Sequence, residues 1–167
     1  MIMQMDQLRT YLDDADRAKD WLNSLGIHDT VRAHRNLLAI AENGLKQDYD
    51  LVLSVCQQLS KHLPHLSDAD MALNNLERFF ESARSPLSLG TLFQRDDAAL
   101  PILLQIFSTS QYLSNTLITD GGSYDLLRMT EGVTVKRDTL VAEIRSEIMS
   151  LDDVELVQAA LRRYHRR

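Results

Sequence analysis

Between Ser67 and Pro86 the residues Ala72, Leu76, Phe79, Phe80 and Ala83 mark out an apolar face. Steps of three and four put these residues on one face of an α-helix, whereas in a strand they would be split between two faces. This is the strongest of several such runs, and no stretch of the chain alternates convincingly with period two. Only 6 Gly and 3 Pro punctuate 167 residues, too few for a fold made of strands and turns. The pattern predicts an all-α protein, an irregular multi-helix bundle of about eight or nine short helices stacked as hairpins with brief connections.

The chain punctuates itself with caps and breakers. Leu8, Leu12, Ala15, Trp21, Leu22 and Leu25 predict one first helix, stopped by Gly26. Asp29 or Thr30 caps a second, carrying Ala33, Leu37, Ile40 and Ala41, with Gly44 beyond it. A third starts near Asp48 or Asp50, shows Leu51, Val55, Leu59 and Leu63, and meets Pro64. Ser67 or Asp68 caps the fourth. Leu87 to Phe93 reads as a turn of helix, and Asp96 or Asp97 opens the next, facing Leu100, Leu103, Leu104 and Phe107 inward. Ser110 caps a helix with Tyr112, Leu113 and Leu117; Gly121-Gly122 breaks the chain; Ser123 caps Tyr124 to Arg128. Thr134 precedes a long helix with Val141, Ile144 and Ile148, and Asp152 or Asp153 starts the last. We read 1–167 as a single helical domain, with a main body over 1–120, a hinge over Gly121 to Thr134, and two closing helices over 134–167.

Charge and cysteine use narrow the function classes. A net charge of −6, with four arginines among the final six residues, leaves the rest of the chain still more acidic. That balance argues against binding nucleic acid, which requires cations to neutralise phosphates. The single Cys56 has no intrachain partner and sits on an apolar helical face between Val55 and Gln57, the place of a small buried hydrophobe rather than a nucleophile. The opening Met1-Ile2-Met3-Gln4-Met5-Asp6 lacks the basic-then-apolar order of a signal peptide. Nothing approaches about 18 consecutive apolar residues, so no membrane span or membrane partner is expected. These features predict a cytoplasmic protein.

Several constellations invite chemistry and each has a simpler structural reading. His62 and His65 flank Pro64 at a helix end, but two imidazoles fall short of the three or four ligands a zinc site needs. Asp-x-Asp occurs at Asp14/Asp16, Asp48/Asp50 and Asp68/Asp70. Such pairs chelate one ion from a strand, where alternate side chains project together; on a helix they diverge by about 200°. The second and third pairs belong at helix starts, where carboxylates suit the dipole, and the first reads as solvated in mid-helix. Gly121-Gly122-Ser123 lacks the Gly-Lys-Ser/Thr ending of a phosphate loop and no strand precedes it. No position is therefore assigned as catalytic, cofactor-binding or metal-ligating.

The final segment carries Val154, Val157, Leu161 and Tyr164 at helical spacing into Arg162-Arg163-Tyr164-His165-Arg166-Arg167 without a terminating Gly, Asn or Pro. We expect such a helix to lead toward a further domain, with Leu161, Arg162, Arg163, Tyr164, Arg166 and Arg167 forming an interdomain or partner contact.

Four stretches, in order, resemble the amino-terminal helical region of the glutamine synthetase adenylyltransferase (glutamate–ammonia ligase adenylyltransferase) family. Leu25-Gly26-Ile27-His28-Asp29 resembles its Leu-Gly-Phe-x-Asp turn, and Asp70-Met71-Ala72-Leu73-Asn74-Asn75-Leu76-Glu77-Arg78-Phe79 its Ala-Leu-x-Asn-Leu-Glu-Arg helix. Leu103-Leu104-Gln105-Ile106-Phe107-Ser108-Thr109-Ser110-Gln111-Tyr112-Leu113-Ser114 is similar to its Leu-Leu followed by Phe-Gly-x-Ser-x-Tyr-Leu, and Ala160-Leu161-Arg162-Arg163-Tyr164-His165-Arg166-Arg167 to its Leu-Arg-Arg-Phe-(Lys/Arg)-Arg. Thr119-Asp120-Gly121-Gly122-Ser123 departs from the family's His-Pro-Glu.

The resemblance implies a parent that transfers AMP from ATP, with Mg²⁺, to a tyrosine of glutamine synthetase, or removes it, under control of the nitrogen-regulatory PII protein. The family's catalytic Gly-Ser turn and Asp-x-Asp strand match nothing in these residues. The chain is therefore expected to be non-catalytic, with no cofactor of its own and a packing or partner-positioning role. The competing expectation is a free-standing helical interaction module that has lost the catalytic domain.

Overall fold

Short polar side chains set where the helices begin. In the computed structural model, which describes residues 3–120, Tyr124, 137–149 and 156–158, every regular element among the described residues is helical. The helices are α1 (Met5–Asp13), α2 (Ala15–Ser24), α3 (Thr30–Ala39), α4 (Tyr49–His62), α5 (Ala69–Ser82), α6 (Pro86–Arg95), α7 (Ala99–Thr109), α8 (Gln111–Thr119) and α9 (Arg137–Met149). A π-helical turn, Ile40–Gly44, continues α3, and a 3-10 turn, Leu63–His65, closes α4. Asp29, Asp48 and Asp68 each accept a backbone N–H from the residue three positions on, at 3.0, 3.3 and 2.8 Å, and Ser110 does the same for α8 at 3.3 Å. These bonds satisfy donors that a helix start leaves open.

The same chemistry corrects the first expected helix, which is two. Asp14 leaves helical geometry (φ −139°, ψ 108°) and its carboxylate accepts from Asp16 N at 2.9 Å and Arg17 N at 3.3 Å. An aspartate placed in mid-helix by the apolar pattern is a cap in the folded chain, because capping offers its side chain backbone donors that a helix interior does not. Asp14→Ala should cost about 1 kcal/mol, read as a lower urea midpoint at unchanged slope. An unaltered midpoint would mean the break is held by packing alone.

Helix ends follow the glycine pattern once and depart from it once. After α2, Gly26 takes φ +82°, Gly26 N donates to Asn23 O (3.1 Å) and Ile27 N to Leu22 O (3.3 Å), the double bond of a Schellman close. After α3 the chain instead widens into the π-helical turn. Gly44 ends it buried, where a Cβ would lie 3.4 Å from the Phe80 ring, and Lys46 and Gln47 follow at φ 51° and 59°. The Leu45 N to Ile40 O and Gln47 N to Ala41 O bonds, 2.7 and 2.8 Å, hold that left-handed pair in place.

Two later expectations shift slightly. The turn expected over Leu87 to Phe93 is a ten-residue helix with Pro86 in its first turn, where the missing N–H costs nothing. Asp96 does not open α7; it accepts from Ala98 N (3.0 Å) in the turn before it. On α8 the inward residues are Ser114 and Leu117, while Tyr112 and Leu113 are 80% and 48% exposed.

Helix α5 is the hub. It packs against α3, α6, α7, α8 and both short turns, and buries Ala69, Ala72, Leu73, Asn75, Leu76, Phe79 and Phe80. Phe79 meets Phe107 edge-on (centroids 5.7 Å apart) and Phe80 meets Phe93 likewise (5.9 Å). On the other side α4 carries α1, α6 and α7. Gly90 permits the close approach of α6, since a Cβ there would come within 2.5 Å of Leu45 Cδ2.

The chain divides into two units, Met1–Gly121 and Gly122–Arg167. Within the second unit α9 places Val141, Ile144 and Ile148 half-buried. Among the described residues no helix is long and apolar enough to cross a membrane.

Candidate functional site

The expected contact residues Leu161, Arg162, Arg163, Tyr164, Arg166 and Arg167 lie outside the described residues, as do Gly121-Gly122-Ser123 and Thr134. What the structure places is the surroundings of α5, where polar residues from distant parts of the chain converge.

At the N-terminal end of α5, Asp70 accepts from His28 N through Oδ2 (2.9 Å) and from Asp29 N through Oδ1 (3.0 Å). One carboxylate thus fixes the loop between α2 and α3. The next member of the α3–α5 contact is Arg32 Nη2, which donates to Asn74 Oδ1 at 2.7 Å. Along the other side of α5, Asn75 is wholly buried; its Nδ2 donates to Phe107 O (3.1 Å) and to Gln111 Oε1 (3.3 Å). Gln111 Nε2 returns a bond to Asn75 Oδ1 and donates to Asn115 Oδ1, both 3.0 Å. Arg78 Nη1 bridges Asn75 Oδ1 (3.2 Å) and Asn115 Oδ1 (3.0 Å). Helix α7 ends just here, and its last carbonyls lack helical donors. Asn75 supplies one to Phe107 O and Ser67 Oγ supplies one to Ser108 O at 2.8 Å.

Glu77, next in this helix, has its carboxyl pushed up from 4.5 by burial and by Glu81, against the opposing pull of Arg78 and Arg32. A cleft of about 330 Å³ opens beside α5, lined among others by Asp29, Arg32, Asn36, Asp68, Asp70 and Asn74.

The other sequence candidates resolve one by one. His62 is half-buried and held below its ordinary value by that burial, then by Lys61 and His65; His65 is exposed. Each Asp-x-Asp pair straddles a helix start, the leading Asp14, Asp48 and Asp68 acting as caps. Among the described residues no group of three or more His, Cys, Asp or Glu is placed to hold a metal ion.

Cys56 is buried and burial pushes its thiol up to about 12 from 9.0. A group whose folded pKa is raised contributes stability that is intact below its unfolded value and lost as pH climbs through the folded one. The folded protein should therefore resist a thiol reagent at pH 8, reacting only as fast as it opens, and should lose stability between pH 9 and 12. Rapid labelling of folded protein at pH 8 would contradict the buried placement.

No family model, no curated protein and no solved structure matches this chain. Sequence reasoning had named every residue of the α5 network except Asn115 and Arg32, but only as fragments of separate stretches. Nothing in spacing alone pairs Asn75 with Gln111, and Asn36 gave no signal at all.

Proposed function

We propose that this chain is the helical region of a glutamine synthetase adenylyltransferase-like protein, and that it shapes and positions partners rather than transferring AMP. One observation carries the reading. Three of the four stretches that resemble the family meet around α5 through side-chain hydrogen bonds: Asp70 to the His28–Asp29 turn, and Asn75 to Phe107 and Gln111. Residues scattered over the sequence thus belong to one structural unit, as expected if they were retained together for the same fold.

The chemistry of that unit is amide, guanidinium and carboxylate groups largely engaged with one another, which suits holding helices in register. Tyr112 and Leu113, from the same third stretch, face outward and offer an apolar contact beside the network. In this reading ATP and Mg²⁺ belong to a nucleotidyltransferase domain of the parent, and glutamine synthetase and PII are the partners. In the same reading Leu161, Arg162, Arg163, Tyr164, Arg166 and Arg167 supply the contact leading toward that domain.

Immobilised chain should retain purified glutamine synthetase or PII, and a version ending at Met149 should retain less. In parallel, the chain with ATP and Mg²⁺ should label no glutamine synthetase under conditions where a full-length adenylyltransferase does. Failure to retain either partner, beside a full-length control that retains both, would reject the positioning role and leave a free-standing helical module as the better reading. Labelling by the chain itself would reject its non-catalytic character.

A further inference from the structure

Asn43-Gly44 is the one Asn-Gly pair in the chain, and in an open chain such a pair is where asparagine loses ammonia most readily. The reason is steric: glycine carries no Cβ to keep its own backbone nitrogen away from the preceding carboxamide. The fold treats the two residues differently. Asn43 is exposed, while Gly44 is buried at the end of the π-helical turn, close enough to the Phe80 ring that a Cβ would lie 3.4 Å from it. The Leu45 N to Ile40 O and Gln47 N to Ala41 O bonds clamp the same turn. Attack needs the Gly44 nitrogen within about 3–3.5 Å of the Asn43 Cγ and aligned with it, and helical backbone angles at Asn43 turn that nitrogen away. The surroundings decide what the change does. Asn43, Glu77 and Glu81 line one cavity of about 250 Å³, where burial and then Glu81 already disfavour the charge on Glu77, against Arg78 and Arg32. Asn43 also lies in the last turn of its helix, where a negative charge opposes the macrodipole.

We propose that Asn43 is a site of spontaneous deamidation whose rate is set by opening of the π-helical turn, and that the carboxylate it produces loosens the contact of that turn with α5. In the step, the Gly44 nitrogen bonds to the Asn43 Cγ as the Cγ–Nδ2 bond breaks, and the backbone amide proton leaves with Nδ2 as ammonia. Water then opens the resulting succinimide at either carbonyl, giving aspartate or isoaspartate. A water is consumed, an ammonia is released, and no oxidant or reductant takes part. Either product adds a negative charge to the cavity of Glu77 and Glu81, and isoaspartate also lengthens the backbone by a methylene beside the buried Gly44. The inference stands apart from the family reading.

The test holds the full chain and a synthetic peptide of residues 39–48 in the same mildly alkaline buffer, and follows aspartate and isoaspartate at position 43 by peptide mapping and mass spectrometry. The folded chain should form product at least about tenfold more slowly than the peptide, because only the opened fraction reacts. Urea well below the unfolding midpoint should speed the folded chain, and so should Phe80→Ala, which removes the ring packed on Gly44. Asn43→Asp imitates the product. Its urea midpoint should fall below that of the native chain at low salt, and the gap should narrow as salt rises. The proposal is overturned if the folded chain reacts as fast as the peptide, or forms no product while the peptide is fully converted. It is equally overturned if both urea and Phe80→Ala leave the rate unchanged, or if Asn43→Asp keeps the native midpoint at low salt.

Discussion

Phe80→Ala should destabilise the first unit by about 3–5 kcal/mol and lower its melting temperature by about 10 °C. Phe80 is 1% exposed on α5, meets Phe93 of α6 edge-on, and lies against Gly44 at the end of the π-helical turn. Its ring therefore joins α5, α6 and the π-helical turn. Removing it leaves a cavity that α6 cannot fill by moving inward, because Gly90 already sits against Leu45 and Leu51. Interiors pay for the lost transfer energy and for the void together. Chemical denaturation of the variant measures the loss directly. A cost below about 1 kcal/mol, the range of well-tolerated core swaps, would show that α6 and the π-helical turn are held by other contacts.

Asn75→Leu is the second large effect, expected at about 1–3 kcal/mol from an unmatched buried carbonyl. Leucine keeps the heavy-atom count and branch point of asparagine, so the experiment removes the hydrogen bonds at the cost of a modest gain in bulk. Phe107 O would lose its donor at the end of α7, and Gln111 and Arg78 would each lose an acceptor. The latter two reach solvent and can rehydrate; Phe107 O cannot do so without opening the contact between α5 and α7. The variant should show a reduced denaturation midpoint together with faster amide exchange in the last turn of α7 and the first of α8. A neutral or stabilising result, as happens when a buried polar group is exchanged for a well-packed apolar one, would reduce Asn75 to a space-filling role.

Much of the helical framework was legible because its causes are local. Asp29, Asp48, Asp68 and Ser110 cap the helices that their positions announce, and Leu51, Val55, Leu59, Leu76, Phe79, Leu103 and Phe107 are buried where a period of 3.6 puts them. One misreading has a clear cause. Asp14 looked like mid-helix because an apolar period continues across it by coincidence, and the cap hydrogen bonds that break the helix leave no mark on periodicity. On α8 apolar character and burial part company, since Tyr112 and Leu113 are exposed while Ser114 fits against the neighbouring helices.

The amino-acid sequence by itself determined that this protein is helical, where most of its helices start, and which faces seek the interior, since caps, breakers and apolar spacing act within a turn or two of chain. Tertiary structure alone decided which polar groups meet. Asp70 reaches His28 and Asp29, and Asn75 reaches Phe107 and Gln111. Those outcomes depend on how α3, α5, α7 and α8 cross, and a helical period fixes which way a side chain points without fixing what waits there.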